Sequence, residues 1–357
     1  MTELICSLGP DSAGTVLTDL LRRPRFALDV AMYEIGPSYA WAISGAARRG
    51  VAVRVLLDGH GSNGNAETVR GVTAAGGECR VLRRGDAAGH WKLLRLDGRE
   101  VAVGTGNLIW RDAPRDPAGR VPPEALPLRG TREWWAVTDA PGVVDGADAA
   151  FETAWQCARR PPQQWRGRLR AQAPGDVGVP IPQLAPVRLQ VAPASVRLVT
   201  GGLPVAAAML HAIEAARSRV LVTAPYMGMR AAAVRRLVAA ARDAKQRGAD
   251  VRLLLGAPPQ RADAARIGST GLALRTMDPA VSTRGHAKGI VADAVAIVSS
   301  ANWSRAGLGP NWEAALVVRG ERVAGYLADA WERDWAAAQR LAGLASDCSG
   351  YPRRDVC

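Results

Sequence analysis

Gly89-His90-Trp91-Lys92-Leu93-Leu94-Arg95-Leu96-Asp97 is written a second time, about two hundred residues on, as Gly285-His286-Ala287-Lys288-Gly289-Ile290-Val291-Ala292-Asp293. Both copies read H-x-K-x-x-x-x-D. Each leads through a short apolar run to a small-residue turn closed by an asparagine, Gly104-Thr105-Gly106-Asn107 and Ser299-Ser300-Ala301-Asn302. A strand alternates its faces with period two, so His and Lys of each copy are expected to point the same way. Asp97-Gly98 signals a two-residue hairpin that folds Val101–Val103 back alongside and brings the asparagine to the His and the Lys.

The residue types fit phosphate chemistry. Imidazole serves as a nucleophile or general acid near neutrality, an ammonium suits phosphate oxygens, and an amide NH2 donates hydrogen bonds. Two facing copies can hold one phosphodiester between two histidines, one attacking phosphorus and the other protonating the leaving oxygen. Composition sharpens the point. Lys and Arg together number 46, yet only Lys92, Lys245 and Lys288 are lysines, and two of the four histidines (His60, His90, His211, His286) lie in the motifs.

The paired motifs resemble the phospholipase D superfamily, marked by two HxKxxxxD sequences each followed by a G/S-S/T-x-N turn. The resemblance covers most of the chain and does not specify the substrate. It implies that His90 attacks to give a phosphohistidine and that His286 protonates the leaving alcohol, then activates water or an acceptor alcohol. Lys92, Lys288, Asn107 and Asn302 would bind the non-bridging oxygens. The family also places an acidic residue downstream of each motif, against the histidine of the opposite half: Glu313 to His90 and Glu133 to His286. Asn311-Trp312-Glu313 keeps the family's N-x-E, whereas Thr131-Arg132-Glu133 keeps only the Glu. Thr105 stands in for the usual Ser and retains the hydroxyl that Ser300 supplies; Asp97 and Asp293, at hairpin tips, are expected to hold their loops. Chemistry of this kind needs no metal or other cofactor.

Duplication extends beyond the motifs. Arg48-Arg49-Gly50 followed by Val51–Leu57 aligns with Gln246-Arg247-Gly248 followed by Ala249–Leu255, and Ala31-Met32-Tyr33 with Ala224-Pro225-Tyr226; the offset is 198 at these glycines, 196 at the histidines and 195 at the asparagines. The expected architecture is therefore α/β, two tandem halves related by a pseudo-twofold, each a mixed, mostly parallel sheet flanked by helices. The expected division is 1–158, a Pro- and Arg-rich linker 159–193, and 194–357, with a monomer completing its own site.

Along the chain, Asp11 is expected to cap a helix through Leu21. Phe26–Tyr33, Val51–Leu57 and Glu78–Leu82 read as strands, and Tyr39–Arg49, Ala66–Ala75, Val205–Arg217 and Glu321–Arg340 as helices. The loop Asp58–Asn65 contains His60, either a substrate contact or a turn residue; His211 reads as structural. The first copy carries extra residues, about 111–130, expected to form a substrate-selecting loop.

At 357 residues, 48% hydrophobic and 22% charged, the chain reads as soluble and globular. No apolar run approaches the roughly 20 residues of a membrane span, and no signal peptide is read, so the expected location is cytoplasmic. Five scattered cysteines suggest structural thiols, with Cys348–Cys357 as the pairing open to an exported protein. A net charge of +13 points to an anionic partner, nucleic acid or membrane surface, or reflects an arginine-rich composition alone. The leading expectation is a metal-independent phosphodiesterase acting on phospholipid headgroups, with peripheral membrane contact; eleven Trp against two Phe suit an interface, although core packing explains most of them. A nuclease of the same superfamily is the second reading, and a non-catalytic module that binds an anion or nucleic acid the third.

Overall fold

Apolar runs closed by Gly-bearing turns become strands, and the amphipathic stretches between them become helices. The structure is a computed structural model describing residues 1–59, 65–82, 85, 87–115, 117, 130–162, 184–277 and 284–340. Beyond these lie His60, most of the 111–130 segment, the linker arginines Arg166, Arg168 and Arg170, and both Cys348 and Cys357.

The first sheet comprises β1 (Thr2–Gly9), β2 (Ala27–Met32), β3 (Ala52–Asp58), β4 (Glu78–Leu82), β5 (Lys92–Leu96), β6 (Glu100–Gly104), β7 (Glu133–Thr138) and β8 (Val187–Val191), in the order β4-β3-β2-β5-β6-β7-β1-β8. The second comprises β9 (Val196–Thr200), β10 (Arg219–Ala224), β11 (Asp250–Leu255), β12 (Ala273–Thr276), β13 (Gly289–Ala292), β14 (Val295–Ser299), β15 (Ala314–Arg319) and β16 (Gln339–Arg340), in the order β16-β12-β11-β10-β13-β14-β15-β9. From the fourth strand to the second, and on through the motif hairpin, the two orders correspond. The duplication is structural.

Both sheets are mixed, but not mostly parallel as the sequence suggested. Among the described strands, only β2–β3 and β3–β4, and their counterparts β10–β11 and β11–β12, are parallel. The βαβ crossovers that create parallel neighbours occupy one flank, while the motif strands return by tight hairpins, which enforce antiparallel pairing. Thr2–Gly9 and Val187–Val191 form strands that the sequence reading did not assign, and β8, within the segment read as linker, pairs with β1.

Helices α1 (Ala13–Arg22), α2 (Pro37–Arg48) and α3 (Asn65–Ala74) cover the outer face of the first sheet, and their apolar residues share a core with β2 and β3. Between the sheets lies a common core, built from α4 (Pro141–Cys157) and the inner faces of both. On the far side, α5 (Gly202–Ala215), α6 (Ala232–Gln246) and α7 (Arg261–Gly268) pack on the second sheet, while α8 (Glu321–Ala337) joins the central core. The closing helix ends at Ala337, and residues 339–340 pair with β12 rather than continuing it.

Asp11 does not cap α1. Ser12 holds the N-cap position, and the Asp11 carboxylate instead meets Arg132 at 2.7 Å. Arg132, 5% exposed, also pairs with Asp334 on α8 and donates to the Gly9 carbonyl, tying the two halves together. Trp91, Trp134, Trp135 and Trp303 are buried to 2% exposure or less, which commits them to packing and withdraws them from any membrane interface. His211 stands on the exposed side of α5.

Candidate active site

Each histidine precedes its regular strand. Lys92 opens β5, and Lys288 sits just before β13, so the His-x-Lys register is set at the strand's beginning. What fixes the histidine backbones comes from the opposite half. His90 N–H donates to Trp312 C=O at 3.0 Å, and His286 N–H donates to Arg132 C=O at 3.0 Å. Trp312 and Arg132 each precede a glutamate, so these two bonds carry Glu313 and Glu133 to the imidazoles. Glu313 Oε2 lies 3.0 Å from His90 Nδ1, and Glu133 Oε1 lies 2.5 Å from His286 Nδ1. With Nδ1–H donated to a carboxylate, the lone pair of each neutral ring is left on Nε2.

The glutamates are held in matching ways. Thr105 and Ser300 donate their hydroxyls to Glu133 and Glu313, and accept the backbone N–H of Trp134 and Ala314 at 2.9 and 3.0 Å. Thr131 Oγ1 donates to Glu133 Oε1 at 2.8 Å; in the other half, the Asn311 amide reaches Glu313 Oε1 at 3.3 Å. Thr131 thus replaces the missing Asn of the first copy, a hydroxyl doing what an amide does elsewhere.

Both lysines are 0% exposed. Lys92 Nζ donates to the His90 carbonyl at 2.8 Å, and Lys288 Nζ to the carbonyls of Thr105 (2.8 Å) and His286 (2.6 Å). The Thr105 bond crosses between halves and draws the second lysine into the first half's turn. Burial, with Lys288 adding repulsion, lowers the Lys92 pKa to about 7; burial lowers that of Lys288 to about 8 against the pull of Glu133, Asp112 and Glu313. Burial also lowers the His90 pKa to about 4, Glu313 opposing and Lys92 and Lys288 reinforcing. His286 is lowered by burial too, with Glu133 opposing. Tyr33 meets the His90 ring edge-on, centroids 5.1 Å apart.

Asn107 donates one amide N–H to Asp112 at 3.1 Å; among the described residues its buried Oδ1 and that of Asn302 meet no hydrogen-bond partner. Asp97 and Asp293 are not at the reaction centre. Each sits at its hairpin tip with positive φ (52° and 49°) and accepts backbone N–H groups at the entry to the neighbouring strand, Arg25, Phe26 and Ala27 for one, Arg217, Ser218 and Arg219 for the other. These bonds fasten each hairpin tip to the start of the neighbouring strand.

Sequence reasoning missed two carboxylates. Asp58, 0% exposed, accepts the Gly89 N–H at 2.9 Å and so fixes the approach to His90. Asp112, also 0% exposed, lies 4.0 Å from His286 Nδ1. Its position five residues after Asn107 was the available signal, and the second copy, with Gly307 there, offered nothing to match it.

Asp112, Glu133 and His286 bring one ligand atom each within 4.8 Å of one another. Their atoms are already engaged by Asn107, Thr105, Thr131 and one another, and the Lys288 ammonium lies 3.0 Å from a ring nitrogen of His286. A fixed ammonium at that distance opposes a second cation. The donor set suits a proton network and does not fit a metal.

Residues 209–335 match the family described as cardiolipin synthase, PLD-like domain. The fold is that of phosphatidylserine synthase from Haemophilus influenzae Rd KW20 (TM-score 0.65, 12% identity, 97% of this chain and 90% of that one). It is also similar to polyphosphate kinase from Porphyromonas gingivalis (TM-score 0.59, 13% identity, 92% of this chain), of which the chain spans 50%. Nuc from Salmonella typhimurium, a phospholipase D family member, aligns over 42% of this chain and 99% of its own at 26% identity, with a TM-score of 0.36. No curated protein sequence matches. Residues 209–335 are therefore similar to a PLD-like domain, and the whole chain shares its fold with that phosphatidylserine synthase.

Proposed function

We propose that this phospholipase D-like chain is a phosphodiesterase that hydrolyses phospholipid headgroups, or transfers them to an alcohol, without a metal. The observation that carries the reading is the crossed pairing of His90 with Glu313 and His286 with Glu133 around two buried lysines. In the proposed reaction, His90 Nε2 attacks phosphorus while Glu313 holds Nδ1–H and the developing imidazolium charge. The P–O bond to the leaving alcohol breaks, and His286 Nε2–H gives that oxygen its proton. Neutral His286 then takes a proton from water or an acceptor alcohol, whose oxygen displaces His90 and restores it. Lys92, Lys288, Asn107 and Asn302 serve the non-bridging oxygens, where preorganised donors stabilise developing charge.

A second reading, a nuclease, is favoured by the net charge of +13, because a basic surface tracks a nucleic-acid backbone. In either case the division into 1–158 and 194–357, the self-sufficient monomer and the cytoplasmic location are part of the proposal. No helix among the described residues is long and apolar enough to cross a membrane, and contact with lipid would be peripheral.

The test uses purified protein in EDTA, offered mixed phospholipid vesicles and, separately, single- and double-stranded nucleic acid. Headgroup release supports the lipid reading, nicking supports the nuclease, and neither leaves the binding module. Quenching during turnover with alkaline detergent is expected to trap a phosphoprotein that is stable to base and labile to acid; its absence with His286 disabled removes the covalent step.

A further inference from the structure

Position 112 breaks the internal symmetry of the site. At the offset of 195 that relates the asparagines, its counterpart is Gly307. Asp112 Oδ2 accepts the Asn107 backbone N–H at 2.9 Å and its amide N–H at 3.1 Å, while Oδ1 accepts from Arg111 at 3.2 Å and lies 3.0 Å from Thr131 Oγ1. The same Oδ2 stands 4.0 Å from His286 Nδ1. Gly307 lies backbone to backbone against Asn302, where a Cβ would come 2.4 Å from the Asn302 carbonyl. No side chain fits there, so the second half has no room for a matching carboxylate.

We propose, resting on the phosphodiesterase reading, that Asp112 is a positioning residue that keeps the resting proton on His286 rather than His90. It thereby fixes which imidazole attacks and which protonates.

The surrounding charges divide accordingly. His286 is faced by Glu133 from β7, Asp112 from the turn after β6 and Lys288 beside it on its own segment, two carboxylates against one ammonium. Arg111 lies behind Asp112, paired to its Oδ1. His90 is faced by Glu313 ahead of β15, by Lys92 on its own segment and by Lys288 from the other half, one carboxylate against two ammoniums, with the neutral Tyr33 ring at its edge. A proton shared between the rings is drawn to the first environment. Asp112 itself stays ionised: burial would raise its pKa, but His286, Arg111 and the Asn107 N–H hold it at about 2. A His90 free of its proton has the Nε2 lone pair that attack requires.

Histidine NMR titration tests this directly, because only four histidines need assignment. In the unmodified protein His286 is expected to titrate at higher pH than His90. Asp112→Asn should lower the His286 titration by about one unit or more and leave that of His90 in place, and Asp112→Glu should restore part of the difference. The alkaline limb of kcat/KM for a poor leaving group should move down by the same amount. For a p-nitrophenoxide leaving group, which departs without a proton, the alkaline limb of kcat/KM should stay in place, whatever the change in its height. His90 titrating above His286, or Asp112→Asn leaving His286 unmoved, overturns the proposal. Should Asp112→Asn fail to fold, the order of the two rings in the unmodified protein still decides it. Loss of every phosphodiesterase activity would overturn the underlying reading, while the titrations continue to judge this one.

Discussion

The two halves reach matching His–Glu–hydroxyl arrangements through different packing. Ahead of the first motif, the Asp58 carboxylate takes the Gly89 N–H; ahead of the second, Gly256 occupies the corresponding place and its backbone lies against Gly285, where a Cβ would fall 1.7 Å from the carbonyl. After the asparagines the contrast recurs with Asp112 and Gly307. The first half spaces its loops with buried carboxylates, and the second brings backbones into direct contact. Buried carboxylates carry charge into the site and backbone contact does not, so one geometry is delivered with two different fields.

The largest effect expected separates the histidines themselves. His90→Asn should reduce turnover by at least about 10⁴-fold and abolish any burst. His286→Asn should be comparably slow in steady state, yet still release one equivalent of p-nitrophenol from an activated diester. Equal bursts, or none from either variant, would erase the division of labour.

Next in size is the packing contrast. Gly256→Ala pushes a methyl into the Gly285 backbone and should cost at least about 3 kcal/mol, read by denaturant melts. Asp58→Asn keeps an acceptor for Gly89 N–H and should cost about 1 kcal/mol. Similar losses would show that the second half relaxes more readily than its contacts imply.

Acid sharpens the comparison further. The His90 pKa is depressed in the fold, so between about 6.5 and 4 the unfolded chain binds the extra proton and stability falls as pH falls. Above 6.5 this contribution is fully present. His90→Asn should flatten that part of the stability curve; an unchanged slope would place the acid sensitivity elsewhere.

The smallest effect is one in which the halves should agree. Asp97→Asn and Asp293→Asn retain a residue tolerant of positive φ but weaken the acceptance of three backbone N–H groups, and each should lose about 1 kcal/mol. Activity per folded molecule should hold. A selective loss of activity in either would bring that aspartate back into the chemistry.

Much of this was legible in the sequence, because the motif residues lie within one short segment per half and segments repeat audibly in one dimension. The crossing of Glu313 to His90 and Glu133 to His286 followed from the family resemblance, and the backbone bonds from His90 to Trp312 and from His286 to Arg132 give its physical cause. The hairpin after the first motif was legible from Asp97-Gly98, but the direction of β5 against β2 and of β13 against β10 was not, since these strands have the same apolar content in either orientation. Asp112 was hidden for another reason. Its partners His286 and Thr131 are distant in sequence, and no periodicity marks a buried acid in a turn. Thr131 was undervalued because a hydroxyl and an amide look unlike as letters, although both donate to a glutamate oxygen.

Joining both half-sites in one polypeptide frees each to change separately. In a twofold dimer of identical subunits, an aspartate beside one imidazole would have to appear beside the other, and the two rings would compete for the proton on equal terms. A fused chain that writes Asp at 112 and Gly at 307 escapes that obligation, and the order of proton transfers becomes something inheritance can set.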